Sequence, residues 1–306
     1  MPSLKYYLLP WIVWWFLGSS TKSAEAFRKS IQDDRKNPDT SPPKDLRKKF
    51  SIDQREYNGS TVYEVSPKSE HPTKAHILYL PGGGLVFKAL EVHWTIVSKL
   101  AERLQATVTM PMYPLAPEHK ITEVYDVLRP LHKELARAAL GENVPYWIMG
   151  DSAGGLLALS LTQQAIANGE PTASKMILIT PAIDMSFENP ESRRVAVEND
   201  PWMDIAGLLE IAKLSAPDLD PKDPLISPVY GSAEKLPETL LFVATRDLWS
   251  PDAILFAQKA KEAGRRIEVV RGEGMLHAWP LLPFYEGGLE VDRIVQWLGQ
   301  TERSDL

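Results

Sequence analysis

Residues Tyr146 to Gly155, YWIMGDSAGG, set a lone serine among small neighbours where a short apolar run gives way to a helical pattern. Val144 to Met149 is rich in strand formers, and Leu156 to Ala167 has helical spacing that ends at Asn168-Gly169, a helix stop signal. Between them Gly150-Asp151-Ser152-Ala153-Gly154 fits G-x-S-x-G. Such a turn holds its central residue in strained backbone geometry and tolerates only small neighbours. It would project the Ser152 hydroxyl from the C-terminal edge of a sheet. A glycine-rich turn with an incidental serine is the competing reading, and the strand-then-helix context argues against it.

On either side of this turn, short apolar strands alternate with helical stretches. AHILYL (75 to 80) and ATVTMP (106 to 111) frame a helical pattern from Ala89 to Leu104, and a further helix is expected from about Glu123 to Ala139. Beyond it come strands KMILIT (175 to 180), TLLFVAT (239 to 245) and RIEVVR (266 to 271). Helix PDAILFAQKAKEAG (251 to 264) separates the last two, and a final helix is expected from about Leu289 to Leu298. That order predicts an α/β chain with a mostly parallel central sheet flanked by helices. Upstream, Asn58-Gly59 between two β-rich runs predicts a hairpin of antiparallel edge strands. Between Pro181 and Pro237 no clear strand is read. The segment is rich in Pro, Asp and Ser around an amphipathic helix from Met203 to Ala216, which suits an insertion covering the strand ends or a plain surface excursion.

Composition narrows the classes. A net charge of −6 with no long basic run gives no electrostatic reason to bind nucleic acid. The absence of cysteine excludes disulfides and thiolate chemistry and permits a cytoplasmic home. Histidines 71, 76, 93, 119, 132 and 277 show no metal-ligand spacing. Tyr6 to Leu17, YYLLPWIVWWFL, is too short to span a bilayer and is broken by Pro10. A lid helix, a helix lying in the membrane interface as a peripheral contact, and a secretory signal are all open for it. Nothing in the sequence fixes the oligomeric state, and a homodimer is compatible with it.

A serine hydroxyl needs a base within hydrogen-bond reach, itself oriented by an acid. When the three follow in the order serine, acid, histidine, His277 is the sole candidate base, since no other histidine follows Ser152. Asp247, two residues past strand TLLFVAT, is the favoured acid. Asp252 competes, but the role of a first-turn carboxylate stabilised by the helix dipole explains it well. Pro81-Gly82-Gly83-Gly84 follows a strand directly and lets the backbone come close to a ligand, and the Ala153 amide is a further donor for an oxyanion.

Taken with LYLPGGG (78 to 84), YPLAPEH (113 to 119), GDSAGG (150 to 155), DPLISPVYG (223 to 231), TRDLWSPDA (245 to 253) and GMLHAWPLLP (274 to 283), the chain resembles the hormone-sensitive-lipase-like esterases of the α/β-hydrolase fold. The resemblance covers most of the chain from Phe50 onward. It implies a serine carboxylesterase without metal or organic cofactor, acting on a small-molecule ester. Ser152 would be the nucleophile, Asp247 the acid and His277 the base, with an oxyanion hole from the amides of Gly83, Gly84 and Ala153. Residues 1–49 would form an N-terminal lid, and 50–306 a catalytic domain with a cap insertion at about 183–222. Trp11, Trp14, Trp15, Trp202 and Met203 are expected to cover an acyl chain. One departure stands out: the family's glycine motif opens with histidine, and here Pro81 takes that place. Two other readings use the same fold: a small-molecule receptor that does not turn over its ligand, and an amidase or lactonase with the same three residues.

Overall fold

The computed structural model describes residues 24–37, 39–69, 71 and 73–300. The apolar run from Tyr6 to Leu17, with Trp11, Trp14 and Trp15, lies outside the described residues, and so do its readings as lid, interfacial helix or signal. No described helix is long and apolar enough to cross a membrane.

Among the described residues eight strands form one sheet. They are β1 (Phe50–Tyr57), β2 (Ser60–Pro67), β3 (His76–Leu80), β4 (Thr107–Pro111), β5 (Tyr146–Asp151), β6 (Lys175–Ile179), β7 (Glu238–Arg246) and β8 (Ile267–Leu276), in the spatial order β1-β2-β4-β3-β5-β6-β7-β8. The hairpin β1-β2 turns at Asn58-Gly59, where both residues have positive φ, and is antiparallel, as is β2 against β4. From β4 to β8 all pairings are parallel. Of the hairpin only β1 is an edge, because β2 finds a partner in β4; the opposite edge is β8.

The helices, with a short turn of helix α2 (Leu46–Lys49) ahead of β1, are α1 (Ala24–Arg35), α3 (Glu91–Leu104), α4 (Ile121–Glu142), α5 (Ala153–Ala167), α6 (Pro190–Glu198), α7 (Ile205–Ser215), α8 (Ser250–Glu262) and α9 (Tyr285–Leu298). Strands β3, β5 and β6 are buried along their whole length, because helices cover both faces of the sheet. One face packs against α4, α5 and α8 through residues such as Leu128, Leu157 and Phe256. The other packs against α3 and α9 through Val97, Leu100, Ile294 and Trp297. Each fully buried Leu or Phe of these two layers contributes about 1.5–3 kcal/mol.

The differences from the sequence reading have local causes. Helix α5 starts at Ala153, not Leu156, because the serine turn itself occupies the position before the helix. Helix α9 starts at Tyr285, not at about Leu289, and runs through Gly287-Gly288. Gly287 packs so closely on the Leu282 carbonyl that any side chain would overlap it. Helix α6 has almost no apolar stripe, and its signal was the Asn189-Pro190 start, with the Asn189 side chain accepting from Glu191 N–H at 3.0 Å.

Candidate active site

Ser152 leaves β5 and begins α5 with φ 52° and ψ −121°, a state that costs a non-glycine residue on the order of 1–3 kcal/mol. Its N–H donates to Ile179 O at 2.9 Å, and its carbonyl accepts from Ala182 N–H at 3.0 Å and Leu156 N–H at 3.1 Å. The small neighbours are a steric requirement. A Cβ at Gly150 would overlap the Gly154 carbonyl, one at Gly154 would overlap the Leu80 carbonyl, and one at Gly155 would lie 2.8 Å from Pro181 Cβ.

His277 follows the last residue of β8, and the next residue, Ala278, turns with φ 54°. The Ala278 N–H donates to Thr180 Oγ1 at 2.9 Å, so the end of β8 is tied across β7 to the residue after β6. Residue 180 directly follows Ile179, whose carbonyl takes the Ser152 amide, and in this way histidine and serine are drawn to one end of the sheet. Asp247 leaves β7 on the intervening strand. Its Oδ1 is 3.1 Å from His277 Nδ1, and both residues are buried, at 0% and 2% exposure. It also accepts from Trp249 N–H at 3.2 Å and from Ser250 Oγ at 3.4 Å, which fixes the carboxylate before the histidine meets it.

With Nδ1 facing a carboxylate, the imidazole carries its proton there, and Nε2 is left as the acceptor. Among the described residues Nε2 is buried without a hydrogen-bond partner. Burial by itself would lower the His277 pKa. Asp247 next, then Asp200 and Asp151 at longer range, outweigh that and hold it above the usual histidine value.

The competing acid has another task. Asp252 accepts from Ser192 Oγ at 2.6 Å and Asn189 Nδ2 at 2.7 Å, anchoring the start of α6 to α8. Burial raises its pKa. Asp247, not Asp252, is the carboxylate that reaches His277.

Gly83 and Gly84 have φ 127° and 61°, and the Gly83 carbonyl accepts from Val86 and Phe87 N–H at 3.1 and 2.8 Å. Among the described residues neither glycine amide donates to a protein acceptor. A Cβ built on Gly82 would lie 3.1 Å from Ser152 Cβ, which places this loop beside the serine. Pro81 offers no side-chain donor, and the loop is held by other means. Tyr113 OH donates to Pro81 O at 2.6 Å, and Arg35 of α1 donates to Val86 O at 2.8 Å and Ala116 O at 2.9 Å. Ile211 of α7 covers the loop, its Cδ1 lying 3.0 Å from where a Gly84 side chain would start.

Sequence reasoning missed a second buried cluster under the serine. Asp151 accepts from Tyr79 OH at 2.7 Å and Gly82 N–H at 3.1 Å, and lies 3.4 Å from His93 Nε2. Its burial opposes ionisation, but His93, Tyr79 and the Gly82 amide together hold its pKa below the usual value. Asp151 thus ties the glycine loop to the serine turn. Its place inside the G-x-S-x-G string was a signal; nothing in the spacing pointed to Tyr79 or His93. Asp200 was missed too, while Trp202, expected over an acyl chain, meets His277 edge to face with ring centroids 6.1 Å apart.

A family model described as the alpha/beta hydrolase fold matches residues 77–281. A triacylglycerol lipase of Mycobacterium tuberculosis is 30% identical over 245 residues, which are 79% of this chain and 50% of that protein. An esterase of Acinetobacter venetianus is 30% identical over 200 residues, 65% of each. The chain therefore spans half the length of the first of these relatives and 65% of the second. Among solved structures, an esterase/lipase from an uncultured bacterium superposes with a TM-score of 0.77 at 25% identity, covering 97% of this chain and 98% of that one. An esterase of the bacterial hormone-sensitive lipase family shares the fold with a TM-score of 0.70 at 24% identity over 88% of this chain and 94% of that one. The match from Ile77 in β3 to Leu281 just past His277 bears out the fold expected from the motifs: the chain belongs to the alpha/beta hydrolase fold family.

Proposed function

We propose that the protein is a serine carboxylesterase that hydrolyses short- to medium-chain acyl esters through an acyl-enzyme. The observation that carries this reading is the buried Asp247–His277 pair, whose Nε2 has no partner among the described residues, at the sheet end where the strained turn presents Ser152. Names of relatives agree with it: lipase, esterase and, in a Streptomyces hygroscopicus protein 28% identical over 70% of this chain, acetyl-hydrolase. A crystal of the esterase EstE5, 25% identical, was soaked with p-nitrophenyl butyrate, a four-carbon acyl ester.

In the first half of the reaction Ser152 Oγ bonds to the ester carbonyl carbon and its proton passes to His277 Nε2. The carbonyl oxygen becomes an oxyanion held by the amides of Gly83, Gly84 and Ala153. Collapse breaks the bond to the alcohol oxygen, which leaves with the proton from His277. In the second half a water gives its proton to Nε2 and attacks the acyl carbon, and the acid leaves as Ser152 regains its proton. Asp247 keeps the proton of the resting imidazole on Nδ1 throughout and stabilises the imidazolium. We place a lid in residues 1–49 and a cap at about 183–222 over the catalytic domain. In support, Arg28 of α1 pairs with Glu210 of α7 at 2.6 Å, and α7 covers the glycine loop.

The test is direct. Wild-type protein should hydrolyse p-nitrophenyl butyrate and label with a fluorophosphonate, and Ser152→Ala should do neither while keeping its circular dichroism spectrum. Retained hydrolysis in Ser152→Ala would refute the assignment, and a wild type that binds esters without labelling would be a receptor.

A further inference from the structure

We propose that Asp200, in the segment joining α6 to α7, is a positioning residue that locks the cap onto the acid and base, so that cap docking and alignment of His277 are one event. The proposal rests on the esterase reading of the same site. Its geometry is specific. Asp200 Oδ2 accepts from the N–H of Leu248, the residue after the acid, at 3.0 Å. Its Oδ1 accepts from Trp202 and Met203 N–H at 2.8 and 3.0 Å, closing a tight turn within the cap segment. One carboxylate thus bonds the loop that carries Asp247 with one oxygen and the cap with the other.

Two further contacts run in parallel. Arg246 Nε of β7 donates to Asn199 O at 3.1 Å, docking the residue before Asp200 on the end of the acid's strand. Trp202, shaped by the Asp200 turn, puts its ring against His277 with the planes at 89°. The histidine is therefore held by a carboxylate at Nδ1 and an indole beside its ring, and Asp200 is bonded to the backbone behind both.

The charge at residue 200 matters as well as its shape. The charged and titratable groups around this point are Asp247 on the loop after β7, Arg246 at the end of β7, His277 after β8, and Asp151 at the end of β5 with His93 against it. Burial first, then the repulsion of Asp247, push the Asp200 pKa up to about 6, so it is an anion near neutral pH, where its charge adds to that of Asp247 in raising the His277 pKa. A neutral side chain of the same shape removes the charge and one of the two acceptors together. An asparagine has one acceptor oxygen and cannot serve both amide sets.

Asp200→Asn should lower kcat/KM for p-nitrophenyl butyrate on its pH-independent plateau by about tenfold, as expected for a misplaced base. It should also move the acidic limb of the profile downward by about half a pH unit, the sign required when an anion near an imidazole is removed. A merely structural residue would leave that limb in place. A folded Asp200→Asn protein with wild-type plateau and limb overturns the proposal, whereas absent labelling of the wild type would overturn the esterase reading instead. Should the variant not fold, the low-field Nδ1 proton of His277 in the wild type decides. Its shift should show an inflection from the Asp200 carboxylate below that of the imidazole, and a single inflection overturns the proposal.

Discussion

Replacing Asp247 by asparagine keeps the volume of the side chain and removes one charge 3.1 Å from His277 Nδ1. Both groups are buried, and the imidazole becomes cationic as the serine attacks. At that separation and an effective dielectric of about 20, a unit charge pair is worth about 5 kcal/mol. This corresponds to a fall in kcat of about 10⁴-fold at 1.36 kcal/mol per decade. An asparagine amide that turns its N–H₂ toward Nδ1 would also favour the tautomer with its proton on Nε2, which cannot accept from Ser152. The measurement is kcat with p-nitrophenyl butyrate, read beside the fluorophosphonate labelling rate and the melting temperature. The comparison is Asp252→Asn, which loses a carboxylate of the same loop and helix start that bonds Ser192 and Asn189. That variant should keep kcat within a few-fold and lose about 1 kcal/mol of stability, the worth of a typical hydrogen bond. Asp247→Asn with kcat within tenfold of wild type, or Asp252→Asn with the larger loss, would refute the assignment of the acid.

Because carboxylates hold His277 above its ordinary pKa and the base must be neutral to act, kcat/KM should fall as pH drops through a value above 6.5. A pH profile with its acidic limb below 6 would contradict the placement of those carboxylates. Gly154→Ala should cost about 3 kcal/mol or more, since the added methyl overlaps the Leu80 carbonyl and backbone must move. Denaturant unfolding measures it, and a melting curve equal to wild type would show that the turn is looser than described.

The alternation of strands and helices and the serine turn were legible in the sequence because each rests on local rules. Buried parallel strands read as apolar runs, as Tyr146 to Met149 and Lys175 to Ile179 do, and the two glycines flanking Ser152 are forced by atoms within a few residues or on the adjacent strand. Helix α6 escaped because it carries little apolar periodicity; only Ser192 and Val195 are buried along it. Helix α9 was read short by its first turn, where Gly287 packs against the Leu282 carbonyl, a contact set by the fold.

By order along the chain alone, His277 was already the sole partner for Ser152, since no other histidine follows it. The choice between Asp247 and Asp252 was different. They lie five residues apart; the place of Asp247 just past a strand favoured it in sequence, and the path of β7 beside β8 gives it to His277 and turns Asp252 toward α6. The partners of Asp151 and Asp200 were likewise invisible. Tyr79, Gly82 and His93 lie 58 to 72 residues before Asp151, and Leu248 lies 48 residues beyond Asp200. Sequence carries the chemistry of each group, but which groups share an electric field depends on distances of a few ångströms, and those are set by the packing of the sheet.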